Sequence, residues 1–174
     1  MTQLTIIDLG GIESSERLEE MLKWNFPFLE TKTMTEEGLL PLLENDQLDA
    51  WEIIGTLIDL GYNNPVLVVT DNPIYEYDLD LERFVHIDGI SYLIAPKISI
   101  VSTEGLYEEN VCVIRKSIHE VGHFYGLKNH ESNPRNRRQC SMVIPEYLYG
   151  KARAEGYRLC GLCQMRVDPN FVCK

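Results

Sequence analysis

The chain has 174 residues, 25% charged and 44% hydrophobic, enough for one domain with its own core and ordinary for a soluble globular protein. Its formal charge of −11 argues against a general nucleic-acid binder, which needs surplus lysine and arginine against phosphate, and against docking on an anionic membrane. The one basic cluster, Lys128 with Arg135, Arg137 and Arg138, reads as a solvated loop.

The N-terminus, MTQLTIIDLGG, has no basic region and only a short apolar run, so no signal peptide is expected. No apolar segment is long enough to span a membrane. A reducing, cytoplasmic setting is therefore expected. LTIIDL, residues 4–9, reads as a buried strand ended by Gly10-Gly11. Ser14 can cap a helix to about residue 23, with Leu18, Met21 and Leu22 on its apolar face. A short extended piece at 28–33 follows. Asp46 or Asp49 then starts a helix with Leu48, Trp51, Ile54, Leu57 and Ile58 at helical spacing, and Gly61 suits its stop.

PVLVVTD, residues 65–71, is a β-branched run of the kind buried on both faces. The polar stretch DNPIYEYDLD, residues 71–80, reads as loop, with extended segments at 83–87 and 92–101 after it. Asn110 can cap a helix to about residue 125, with Val111, Ile114, Ile118 and Val121 facing the core. Beyond Gly126 the pattern is irregular, with a short helix expected near 146–155. This order describes an α+β or mixed α/β domain over residues 1–174.

The helix expected from Asn110 to about residue 125 carries His119-Glu120-Val-Gly-His123. Residues four apart lie one turn apart on the same face, so two imidazoles there can grip one zinc ion from one side. Glu120, rotated off that axis, reaches a water at the metal rather than the metal itself. H-E-x-x-H of this kind supplies two ligands and a general base for metal-assisted hydrolysis. A surface helix with two chance histidines is the plain alternative, and the core-facing stripe of this helix weighs against it. Gly126 permits the positive φ that a sharp helix end requires. Five cysteines in a reducing compartment favour metal over disulfides, and Cys160-x-x-Cys163 has the spacing of a zinc knuckle. Cys112 reads as a buried small hydrophobe and His86 as an ordinary histidine.

Together, His119-Glu120-x-x-His123-x-x-Gly126, His130, Cys140-Ser-Met142, seventeen residues and Cys160-Gly-Leu-Cys163 resemble the archaemetzincins, zinc peptidases of the metzincin clan. Their pattern is H-E-x-x-H-x-x-G-x-x-H-C, four residues, C-x-M, seventeen residues, C-x-x-C. The resemblance covers about the last third of the chain. It implies a zincin-like mixed sheet with backing helices, an upper subdomain over 1–126 ending in the active-site helix, and a lower one over 127–174. It implies two zinc ions: a catalytic one on His119, His123 and His130 with Glu120 as base, and a structural one on Cys140, Cys160 and Cys163. Met142 would form an apolar floor under the catalytic site.

The pattern departs in one place. The family would have histidine at 129 and cysteine at 130, whereas this chain has Asn129 and His130, and five more residues before Cys140. In one register a single extra residue precedes His130, which stays the third catalytic ligand; the added span of about 3.5 Å is within reach of a bulge. Glu131 or Cys173 then completes the structural site. In the other, Asn129 stands in the catalytic position and His130 joins the three cysteines, a Cys3His set that zinc accepts. The first is preferred because it keeps three histidines.

The resemblance further implies peptide or partly unfolded protein as substrate, lying antiparallel to an edge strand expected from residues 92–101. A monomer is expected. The position that carries a zinc-linked tyrosine in some metzincins is Ile144; Tyr147 and Tyr149 are nearby without assigned roles. Asn129 keeps open a second class, a catalytically silent zinc protein whose knuckle holds a binding surface. A thiol redox role for Cys160 and Cys163 is disfavoured, because the pair is not expected to open a helix after a strand.

Overall fold

The two most apolar runs become interior strands. β1 (Thr2–Leu9) pairs in parallel with β4 (Val66–Thr70), and β4 in turn with β8 (Ile98–Ser102). β2 (Leu29–Met34) lies parallel on the outer side of β1, and one antiparallel strand, β7 (Gly89–Tyr92), closes the far side. The sheet order is β2-β1-β4-β8-β7. The computed structural model describes residues 2–10, 12, 15–44, 48–104, 111–129, 140–142 and 159–167.

Side chains alternate across a sheet, so each face of this one needs its own cover. Leu4, Ile6, Leu67, Val69 and Val101 share one core with α1 (Ser15–Asn25) and α3 (Val111–Phe124). Ile7, Leu9, Val66, Val68, Ile98 and Ile100 share another with α2 (Ala50–Asp59) and Leu39 of a 3-10 helix (Glu37–Glu44). A small second sheet, β3 (Leu48–Asp49), β5 (Ile74–Asp78) and β6 (Arg83–Ile87) in the order β3-β5-β6, sends Ile74 into that second core. The mixed α/β expectation holds, and Cys140, Met142 and Cys163 belong to the first core rather than to one of their own.

Four expectations are corrected. Residues 71–80 are not all loop: Ile74–Asp78 is a strand, held by antiparallel pairing to β6 with Tyr77 against Phe84 and Tyr75 against His86. The edge strand on the α3 side is Gly89–Tyr92; within the expected 92–101 segment, the strand Ile98–Ser102 is interior. On α2, capped by Asp49 accepting from Trp51 N at 2.8 Å, Ala50 and Ile53 join Ile54 and Leu57 in the core. Trp51 and Ile58 are 46% and 41% exposed, because the buried stripe at 50, 53, 54 and 57 turns both outward. Finally, the C-x-x-C pair does open a helix, α4 (Gly161–Val167), while residues 143–158, where a preceding strand would lie, are outside the described residues.

Ile114, Ile118 and Val121 of α3 are buried as expected. The side chains of Val111 and Cys112, the caps assigned to Ser14 and Asn110, and the helix expected at 146–155 lie outside the described residues. His86 sits on the surface beside Glu104, its Nε2 3.1 Å from a carboxylate oxygen. Among the described residues no helix is long and apolar enough to cross a membrane.

Candidate metal centre and catalytic cleft

α3 rests on β8, β7 and β4, and its buried stripe leaves His119, Glu120 and His123 facing a cleft beside β7. His119 Nδ1 lies 2.8 Å from Ser141 O and His123 Nδ1 lies 2.9 Å from Leu127 O. A carbonyl oxygen only accepts, so each Nδ1 carries the proton and each Nε2 presents a lone pair. Those two Nε2 atoms are 3.2 Å apart, with the rings at 85°. Zinc–nitrogen bonds of about 2.0–2.1 Å put tetrahedral neighbours about 3.3 Å apart, so the pair fits two ligands of one ion. Burial holds the His119 pKa below the ordinary histidine value, which favours the neutral, ligating form.

α3 stops sharply at Gly126, whose φ of +75° only glycine adopts without cost. Gly126 N donates to His123 O and Leu127 N to Gly122 O, the paired bonds of a Schellman cap. Lys97 Nζ donates to Phe124 O, placing a cation at the negative end of the helix dipole. Met142 is fully buried against Gly122, on the turn between the two histidines.

Glu120 turns toward the edge strand. Its Oε2 accepts from Ser91 Oγ at 2.6 Å, and Oε1 lies over Gly89. The cleft, about 440 Å³, is bordered by Ile90, Leu93 and Asn129 as well as by the two histidines and Glu120. Asn129 therefore stands beside the histidine pair, whereas His130 and Glu131 lie outside the described residues, as do Arg135, Arg137, Arg138, Ile144, Tyr147, Tyr149 and Cys173.

Cys140, Cys160 and Cys163 come together as the sequence led us to expect. Their sulfurs all lie within 4.8 Å of one another, a set that can hold a metal ion. Cys140 and Cys163 sulfurs are 3.9 Å apart, against about 3.8 Å for neighbours in a tetrahedral site with zinc–sulfur bonds of about 2.3 Å. The hydrogen bond shared with Cys163 holds the Cys140 thiol down at about 5 against its burial, helped by backbone N–H groups of Cys160 and Met142. The same shared hydrogen bond, with burial, pushes Cys163 up. Thiolate character at Cys140 suits a metal ligand.

One supporting residue was not found from the sequence. Asn25, buried at the end of α1, accepts from Leu159 N at 2.9 Å on Oδ1 and from Gln164 Nε2 at 3.0 Å on its backbone oxygen, while its Nδ2 donates to Met21 O. It thereby ties both flanks of the C-x-x-C pair to the first helix. An asparagine on an otherwise apolar helical face is the only signal the sequence offers for it.

No protein-family model matches the chain, and no curated protein does either. Among solved structures it is similar to archaemetzincin AmzA from Archaeoglobus fulgidus, crystallised with malonate, at a TM-score of 0.60 and 18% identity. The match covers 95% of this chain and 99% of that one. The chain has the fold of that archaemetzincin.

Proposed function

We propose that this protein is a zinc metallopeptidase of the archaemetzincin type, acting on peptides or partly unfolded chains. The observation that carries the reading is the histidine pair, with Nε2 atoms 3.2 Å apart and both Nδ1 atoms committed to backbone carbonyls. Two lone pairs held that close repel one another unless a cation stands between them. His119, His123 and, in the preferred register, His130 would hold the catalytic zinc. Cys140, Cys160 and Cys163 would hold a second, structural one, which requires a reducing compartment such as the cytoplasm. A zinc ion at the histidine site supplies Lewis acidity, polarising a scissile carbonyl and acidifying a water.

The chain's own residues do the rest. Glu120 takes a proton from the attacking water and delivers it to the leaving amine. β7, as an edge strand, has main-chain groups along its outer side to pair with an extended peptide, and the cleft lies directly beside it. Ser141 O and Leu127 O keep both imidazoles in the ligating tautomer.

A second reading is favoured by one observation, Asn129 bordering the cleft beside the histidines. In it the chain is a catalytically silent zinc protein, with His130 completing the cysteine site. Metal content per chain, with peptide hydrolysis before and after Glu120→Ala, tests the two. Two zinc ions and hydrolysis abolished by Glu120→Ala are the expected result. One zinc ion, retained in His119→Ala and lost in Cys160→Ala, with no hydrolysis, would overturn the peptidase.

A further inference from the structure

The face of the sheet beneath α3 is apolar except at one notch. β7 and β8 pair in a register that sets Ser91 opposite Ser99 and Gly89 opposite Val101. By alternation Gly89, Ser91, Ser99 and Val101 face α3, while Ile90, Tyr92, Ile98 and Ile100 join the core on the other side. So directly under Glu120 the strands offer a glycine and two hydroxyls where apolar side chains would otherwise pack. Ser99 is fully buried, a costly place for a hydroxyl unless it is hydrogen-bonded.

Ser91 Oγ lies 2.7 Å from Ser99 Oγ, 2.6 Å from Glu120 Oε2 and 3.3 Å from Glu120 O. Ser99 Oγ is also 3.4 Å from Glu120 O. Each hydroxyl has one proton to give. Were Ser91 to donate to Ser99, its oxygen would face a carboxylate oxygen at 2.6 Å with no proton between them. With Glu120 ionised, as a base must be, the order is fixed: Ser99 donates to Ser91, and Ser91 donates to Glu120 Oε2. Gly89 clears the space for the other oxygen. A β-carbon there would stand 3.1 Å from Glu120 Oε1 and 3.1 Å from Ile100 O.

We infer that Ser91 and Ser99 are positioning residues for Glu120: a two-hydroxyl relay across the edge strand that clamps Oε2 and leaves Oε1 as the oxygen that carries the proton. This rests on the peptidase reading above and goes beyond it, since it says how the base is aimed. It also puts the clamp on the strand that a peptide would pair with.

The test uses the zinc-loaded protein and a peptide that it cleaves. Ser91→Ala is expected to lower kcat about ten- to a hundredfold, less than the full 10²–10⁴ that a general base is worth because Glu120 itself remains, with KM changed less than about twofold. Ser91→Thr, which restores the hydroxyl, should recover most of that loss. Ser99→Ala should cost less, and the double alanine variant no more than Ser91→Ala alone, because the two act through one atom. A crystal structure of Ser91→Ala should show the Glu120 carboxylate rotated away from its place over Gly89, with both histidines unmoved. An unchanged kcat in Ser91→Ala, an equal loss in Ser91→Thr, or an unmoved carboxylate would overturn the relay. Failure of the parent protein to cleave any peptide would strike the peptidase reading instead, and the carboxylate's position in the crystal would still decide the relay.

Discussion

Met142 Sδ lies 2.5 Å from the point where a β-carbon on Gly122 would stand, and Leu127 Cδ1 lies 3.3 Å from it. The helix carrying the two histidines thus has a missing side chain at the one place where the methionine comes up beneath it. Gly55, in the middle of α2, has nothing within 4 Å of the same point.

The two glycines should therefore respond oppositely to the same change. Alanine in a helix interior is worth about 0.5–1 kcal/mol over glycine, and Gly55→Ala should gain about that much. Gly122→Ala gains the same propensity but drives a methyl into a fully buried sulfur, an overpacking cost of about 1–3 kcal/mol. Chemical denaturation of both variants should show Gly55→Ala unfolding later than the parent and Gly122→Ala earlier. Equal shifts would mean that Met142 moves aside freely.

Asn25 should be worth more than its size suggests. Asn25→Ala removes the side-chain acceptor of Leu159 N and the donor to Met21 O, leaving a buried N–H without a partner. The expected loss is about 2–4 kcal/mol, read as an earlier midpoint in urea at unchanged slope. A loss under about 0.5 kcal/mol would mean that the side-chain bond to Leu159 N adds little to what core packing and the Gln164 bond already hold.

Glu19 gives a pH signature. Burial raises its pKa, but hydrogen bonds from the Thr31 and Thr33 hydroxyls and from Lys23 outweigh it, and the net shift is downward from the ordinary 4.5. A lowered folded-state pKa stabilises the fold fully above the unfolded value, and that stability is lost as pH falls through the lower one. Glu19→Gln should cost about 1–2 kcal/mol at pH 7. The gap to the parent should shrink as pH falls below about 4.5. A pH-independent gap would put the contribution in packing rather than charge.

On the proposed reading, the histidine and cysteine sets should lose their metal independently. Cys160→Ser is expected to remove one metal ion per chain and lower Tm by about 10 °C or more, since each kcal/mol moves a domain of this size by about 2–4 °C. His119→Ala should remove the other ion with a smaller change in Tm, because the histidine pair lies within one helix whereas the cysteines join segments far apart in the chain. Metal analysis beside calorimetry checks both. Loss of both ions in either variant would mean that the two sets do not bind independently.

What could be read in the sequence was whatever a local pattern encodes. The apolar runs of β1 and β4, the H-E-x-x-H turn of α3, Gly126 and the cysteine knuckle each carry their signal within a few residues, and the structure gathers the three cysteines as expected. What escaped depends on partners far along the chain. Residues 74–78 look polar because their aromatics pair across to β6 rather than facing the core. Ser91 and Ser99 look like ordinary strand serines until register sets them opposite one another and α3 lays Glu120 over them. Asn25 answers to residues 159 and 164, which no window around position 25 contains.

The carbonyl that fixes the His123 tautomer belongs to Leu127, the residue whose own N–H closes the helix-ending turn at Gly126. One short reversal of the chain thus both ends the helix and aims the imidazole, so no residue can be added or lost between positions 123 and 127 without spoiling both. Around this turn, added residues spare both roles only from Lys128 onward.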